Sequence, residues 1–234
     1  MPMRIGHRGA AGYAPENTLA SFRKALELGC DGVELDVHMT GDGHLVVIHD
    51  PFLDRTTDRK GLIRALTLAE VRAADAGGWW GPEFRGERVP TLEEVIELTA
   101  PAGIRLFIEM KAGSLHYPGI EAALVDVIRR HRCQDRVQVS SFDHHGLRRL
   151  RELAPELSLG VLYLCHPLDP VGMARAIGAN ALHPAWYFAT PEVVQAAHAA
   201  GLEVYVWDVD RPEAAALMRM AGVDGIIADH PDRI

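Results

Sequence analysis

The stretches IRLFIEMK (104–111) and IEAALVDVIRRH (120–131) read as one strand followed by one helix. The first is a short apolar run. The second repeats apolar residues at Ile120, Leu124, Val127 and Ile128, the rhythm of an amphipathic helix. The same unit recurs in both directions. Strands are expected at 3–6, 32–38, 104–111, 137–142, 157–164, 180–183, 202–208 and 223–228. Helices are expected at 17–28, 92–99, 120–131, 144–153, 170–177, 191–200 and 212–221. Eight βα units of about 29 residues each, with no break in composition, predict a (β/α)8 TIM barrel over 1–234 as a single domain. A doubly wound open sheet is the alternative, but it more often shows a G-x-G-x-x-G turn after its first strand, and none occurs here.

One unit is irregular. Thr40-Gly41-Asp42-Gly43 is a turn signal between two alternating runs, so 45–49 is expected to fold back as a hairpin arm. An insertion rich in Asp, Arg, Gly and Trp follows to about residue 90. In a barrel it would lie over the C-terminal face, where active sites are built.

Composition narrows the class. The 234 residues carry 24 Lys+Arg against 32 Asp+Glu, a net charge of −8, which argues against a nucleic-acid binder. Hydrophobic residues make up 48% and charged residues 24%, as expected of a folded domain rather than a disordered chain. Cys30, Cys133 and Cys165 are scattered and odd in number, as in a reducing compartment. The first residues, MPMRIGHRG, lack the apolar core of a secretion signal, and no stretch suits stable membrane insertion. A cytoplasmic location is the expectation. Nothing selects a homodimer over a monomer.

The chemistry concentrates at strand ends. In the second strand Glu34, Asp36 and His38 alternate with Val33, Leu35 and Val37, so the polar set faces the barrel axis. Paired carboxylates there are costly without a cation or donors, although a lone E-x-D is also compatible with a salt-bridged structural pair. If Met39 pairs with His44, Asp36 lies opposite Val47 and Glu34 opposite His49. His49 then joins the carboxylates, or else merely caps the His49-Asp50-Pro51 corner. Glu109 and Lys111 share one face of the third strand, next to the second. Three oxygen ligands without Cys suit a hard divalent cation, Mg²⁺ or Ca²⁺. Lys111 would hold an anionic oxygen or pair with Glu109. At the end of the first strand, Gly6-His7-Arg8-Gly9 offers an acid or base in His7, a planar phosphate fork in Arg8, and glycines that admit a ligand. Asn17, in Pro15-Glu16-Asn17-Thr18, is either a substrate contact or a helix N-cap. Trp207 would wall the pocket or sit in the core. Trp79 and Trp80 would form a lid or a small core. His183 and Asp208 are placed at the mouth, and His116, His131, His144, His145, His166 and His198 on the surface.

Together these residues resemble the glycerophosphodiester phosphodiesterase family. The resemblance rests on His7-Arg8-Gly9, Pro15-Glu16-Asn17-Thr18, Glu34-Leu35-Asp36-Val37, Val47-Ile48-His49-Asp50, Pro90-Thr91-Leu92-Glu93-Glu94, Ile108-Glu109-Met110-Lys111, Ser140-Ser141-Phe142-Asp143 and the tail through His230-Pro231-Asp232. It implies a barrel related to the phosphatidylinositol-specific phospholipase C group. It also implies hydrolysis of glycerophosphodiesters to sn-glycerol 3-phosphate and an alcohol. By the same resemblance Glu34, Asp36 and Glu109 would ligate the metal, and His7 and His49 would form the acid/base pair. Arg8 and Lys111 would hold phosphate, Asn17 would position metal or glycerol, and the insertion would contact the glycerol side. Many members carry Thr and Asn after the aromatic of the seventh strand, whereas here Trp207 is followed by Asp208-Val209-Asp210. The added negative charge is expected to favour cationic head groups such as choline or ethanolamine. A lysophospholipase D or phospholipase C-like enzyme would need an apolar groove, yet Phe52, Leu62, Trp79, Trp80 and Phe84 of the insertion stand among Arg and Asp. A non-catalytic phosphodiester-binding protein would more often lack a His or an acid, and all five are present.

Overall fold

The computed structural model describes residues 1–111 and 117–234, so His116 lies outside the described residues. Eight parallel strands close on themselves: β1 (Met3–Gly6), β2 (Gly32–Met39), β4 (Arg105–Met110), β5 (Val137–Ser141), β6 (Ser158–Tyr163), β7 (Ala181–Pro184), β8 (Glu203–Val206) and β9 (Gly225–Ala228). Closure is direct, because β1 pairs with β2 on one side and β9 on the other. That excludes the open doubly wound sheet. Among the described residues seven helices wrap the barrel: α1 (Leu19–Glu27), α3 (Leu92–Thr99), α4 (Ile120–Arg130), α5 (His144–Leu153), α6 (Pro170–Ile177), α7 (Pro191–Ala199) and α8 (Pro212–Ala221). The eighth unit departs from the expected pattern. After β9 the described chain makes a 3₁₀ turn at Pro231–Arg233 in place of a further α-helix.

Side-chain alternation divides the molecule into two cores. Val33, Leu35, Val37, Ile108 and Val139 point outward and pack against the helices. Ile5, Phe107, Ala181, Tyr205 and Ile227 fill the barrel interior. Aromatic rings fit there because the facing strands carry glycine. A Cβ at Gly32 would come within 2.9 Å of the Phe107 ring, and one at Gly225 within 2.6 Å of Tyr205. No described helix is long and apolar enough to cross a membrane.

The expected hairpin forms, with a different register. β3 (Leu45–Val47) pairs antiparallel to β2 through Met39–Leu45, His38–Val46 and Val37–Val47. Relative to the sequence expectation the strand has slipped by one residue, so the Asp36 carbonyl accepts from Ile48 N at 3.0 Å and His49 is not opposite Glu34. The reason lies in the turn. Thr40 N donates to His44 O, and the Thr40 hydroxyl bonds Asp42 and receives His44 N, leaving three residues between them with Gly43 at φ 86°. The insertion adds a five-residue helix, α2 (Leu68–Arg72), and its own core of Val46, Ile48, Leu53, Ile63, Val71 and Val89. Trp79 and Trp80 pack edge to face on each other at its surface.

Candidate active site

Strand parity delivers the carboxylates as expected. Asp36 pairs with Glu109 across β2 and β4, and Glu34 lies two residues earlier on the same face. Ligand oxygens of Glu34, Asp36 and Glu109 all lie within 4.8 Å of one another. Glu34 and Asp36 are buried and Glu109 nearly so. Burial, then the neighbouring Asp36 charge, pushes Glu34 up to about 8, and burial likewise raises Glu109. Burial opposes ionisation of Asp36 too, but the charges of Lys111 and Arg8 outweigh it and hold that carboxyl far below its usual range. Three buried hard oxygen donors of this kind fit a divalent cation, whose charge would relieve their mutual repulsion.

Cations frame the cluster. Lys111 Nζ bridges Asp36 Oδ1 at 2.9 Å and Glu109 Oε1 at 2.7 Å, so both readings of Lys111 coincide: it pairs with Glu109 and stands at the cavity. Arg8 Nε stands 3.4 Å from Asp36 Oδ2, and Arg8 N donates to Glu34 Oε2 at 3.0 Å. The N-cap alternative for Asn17 fails, since α1 begins at Leu19 with Thr18 as its cap. Asn17 instead donates from Nδ2 to Asp36 Oδ2 at 2.8 Å. Both Arg8 (φ 49°) and Asn17 (φ 57°) adopt the left-handed backbone region, uncommon for arginine and concentrated at functional sites.

The two histidines are each held at Nδ1 by a carboxylate. His7 donates to Asp229 Oδ1 at 2.7 Å, and its Nε2 lies 3.3 Å from Asp208 Oδ1 and 3.9 Å from Glu34 Oε2. Burial alone would lower the His7 pKa, but the Asp229 hydrogen bond and the Glu34 charge prevail and raise it to about 9. His49 donates to Asp50 Oδ1 at 2.7 Å, and burial lowers its pKa. It reaches the cavity despite the slipped register because β3 ends at Val47 and the chain then bends. His38 supports that bend. Its Nε2 donates to the His49 carbonyl at 3.0 Å and its Nδ1 accepts from the Tyr117 hydroxyl at 2.7 Å, which places it behind the site rather than in it.

A cavity of about 170 Å³ collects these groups at the C-terminal ends of the strands. His7, Arg8, Glu34, His49, Glu109 and Lys111 form its charged side, from β1, β2, β4 and the hairpin. Phe142, Leu162, Trp207 and Ile227 form its apolar side. Trp207 meets Phe142 edge to face, so it walls the cavity as the pocket reading anticipated. His183 belongs to the lining but is buried beside Gln138, and Asp208 stands half-exposed at the mouth. Trp79 and Trp80 are not among the lining residues. Of the residues set aside as surface, His144 is tied to the Leu162 carbonyl and His198 to Asp224. The sequence reading missed Asp229 and Arg55, and it gave Glu16 and Asp50 no role. Asp50 follows His49 directly and Asp229 follows the last barrel strand, which is the signal that could have found both.

Comparison with known proteins identifies the family and supports the fold. The family model described as the glycerophosphoryl diester phosphodiesterase family matches residues 7–233. A glycerophosphodiester phosphodiesterase of Caldanaerobacter subterraneus subsp. tengcongensis is 46% identical over 230 residues, covering 98% of this chain and 95% of that protein. The crystal structure of a glycerophosphodiester phosphodiesterase from Agrobacterium tumefaciens superposes with a TM-score of 0.87 at 30% identity, covering 100% and 98% of the two chains. An Oleispira antarctica phosphodiesterase in complex with the product sn-glycerol-3-phosphate superposes with a TM-score of 0.92 at 36% identity, covering 100% and 95%. The chain belongs to the glycerophosphoryl diester phosphodiesterase family and is an enzyme of that class.

Proposed function

We propose that this single barrel domain hydrolyses glycerophosphodiesters, such as glycerophosphocholine or glycerophosphoethanolamine, to sn-glycerol 3-phosphate and an alcohol. One observation carries the reading: two carboxylate-held histidines and two cations surround a three-carboxylate cluster in one cavity. Glu34, Asp36 and Glu109 would hold Mg²⁺ or Ca²⁺, which when bound supplies Lewis-acid neutralisation of phosphate charge. Arg8 offers the phosphate a planar fork and Lys111 a point charge. Asn17 orients Asp36. With each Nδ1 engaged by a carboxylate, His7 and His49 present Nε2 to the substrate, one accepting a proton from the nucleophile and the other donating one to the leaving oxygen. Trp207 and Phe142 wall the apolar side. The three unpaired cysteines, with Cys165 exposed, support a reducing, cytoplasmic location.

His7→Ala or His49→Ala is expected to cut turnover of glycerophosphocholine by about 10²–10⁴-fold while calorimetry still detects Mg²⁺ binding. Unchanged turnover in either variant would remove that histidine from the mechanism. The Asp208 carboxylate near His7 supports a preference for cationic head groups. Asp208→Asn should then narrow the rate difference between glycerophosphocholine and glycerophosphoinositol, and an unaltered ratio would refute the preference. A second reading, activity of the lysophospholipase D type, is favoured by exposed Phe142, Leu164 and Tyr187 just beyond β5, β6 and β7. Choline release from lysophosphatidylcholine vesicles separates the two.

A further inference from the structure

We propose that Arg55 is a positioning residue that locks the second histidine of the site to the phosphate-binding arginine. The proposal rests on the roles of His49 and Arg8 given above. Arg55 comes from the insertion, outside every strand and helix, and its side chain is 44% exposed. Its guanidinium nevertheless makes two forks. Nε and Nη2 donate to the two oxygens of Asp50 at 2.8 and 3.0 Å, and Nη1 and Nη2 donate to the two oxygens of Glu16 at 2.8 and 2.7 Å. Beyond each carboxylate stands a functional side chain. Asp50 Oδ1 accepts from His49 Nδ1, and Glu16 Oε1 accepts from Arg8 Nη1 at 2.8 Å.

The chain His49–Asp50–Arg55–Glu16–Arg8 thus joins two loops, the connection from β1 to α1 and the stretch that follows β3, through side chains alone. Its parts depend on one another. Asp50 fixes the His49 ring only if its own plane is fixed, and the Arg55 fork sets that plane. Glu16 aims the Arg8 guanidinium only if its other lone pairs are held, and Arg55 holds them. Lysine cannot replace arginine here, because an ammonium lacks the flat five-donor geometry that spans two carboxylates in two directions. Reacting groups tolerate little displacement, so loosening the link should lower turnover as well as affinity.

The test is a double-mutant cycle on glycerophosphocholine hydrolysis, using the full chain with Mg²⁺ and near-ultraviolet circular dichroism to verify the fold. Arg55→Ala should lower kcat about 10²-fold and raise KM, and Arg55→Lys should be nearly as impaired. In a His49→Ala background, Arg55→Ala should leave kcat within about twofold, since the turnover effect passes through His49, while the rise in KM, which passes through Glu16 and Arg8, should persist. Millimolar guanidinium should restore part of the Arg55→Ala turnover without changing wild type. Undiminished kcat in Arg55→Ala while His49→Ala is impaired would overturn the proposal, as would a fully additive cycle. If His49→Ala itself retained full activity, the fault would lie with the histidine pair instead. Should Arg55→Ala fail to fold, Arg55→Lys with and without His49→Ala gives the same decision.

Discussion

Asp36 is the carboxylate of the cluster with the most cationic and amide partners. Lys111, Arg8 and Asn17 all approach its two oxygens, and it is almost wholly buried. Glu34, two residues away, accepts from one backbone N–H and is driven toward its neutral form. Glu34 therefore gains most from a cation, and Glu34→Ala should weaken Mg²⁺ or Ca²⁺ binding strongly. Normal affinity by isothermal calorimetry would show the ligand assignment to be wrong. Asn17 allows a finer test, because its backbone and its amide contribute separately. Asn17→Gly keeps the left-handed backbone and loses only the contact to Asp36, so metal affinity should fall about 10–100-fold with thermal stability nearly intact. Asn17→Ala should show the same affinity loss plus about 1–2 kcal/mol of destabilisation from the forced positive φ. Equal stability of the two variants would mean that the backbone geometry is not strained.

At the scale of elements, helix boundaries and strand faces were legible in the sequence because each follows a local period. Glu34, Asp36, Glu109 and Lys111 could be placed by counting alternate residues along two neighbouring strands. α3 could be placed by Thr91 and Glu94, which form a reciprocal cap: Thr91 Oγ1 accepts from Glu94 N, and Glu94 accepts from Thr91 N at 2.9 Å. Register was less legible. A three-residue turn and a four-residue turn use nearly the same residues, and only the Thr40 and Asp42 hydrogen bonds decide between them. The Asp229 partner of His7 could not be read from periodicity, because 222 residues separate the two, and only its place directly after the last barrel strand points to it. The insertion is not a passive appendage, since its core includes Val46 of β3 and Ile48, the residue just before His49. Ile63→Ala, at a fully buried position in that core, should destabilise the protein by about 2–5 kcal/mol in urea unfolding and depress turnover as well. Turnover equal to wild type in the folded variant would disconnect the insertion from His49.

Across the whole molecule, acid should unfold the barrel partly through its interior. His183 is buried against Gln138, Phe107 and Tyr205, and burial, aided by the Arg105 charge, pushes its pKa from 6.5 down to about 3. Below pH 6.5 the unfolded chain takes up a proton that the folded chain refuses until about pH 3. The unfolded state thus binds more protons in that window, and stability falls as pH drops through it, by at most about 1.4 kcal/mol per pH unit from this group. Urea midpoints measured from pH 7 to pH 4 should be flatter for a folded His183→Gln variant than for wild type. Identical slopes would assign acid sensitivity elsewhere.

The pairing of β1 with β9 has a consequence for how the enzyme comes into being. His7 follows the first barrel strand, and the carboxylate that holds it, Asp229, follows the last one, 222 residues later in the chain. Barrel closure and the orientation of that imidazole are delivered by the same late stretch of chain. A polypeptide that stalls or is clipped before Gly225 lacks both at once. Given the role proposed for His7, competence would be tied to translation through this region, and copies truncated before it are expected to be inert rather than partly active.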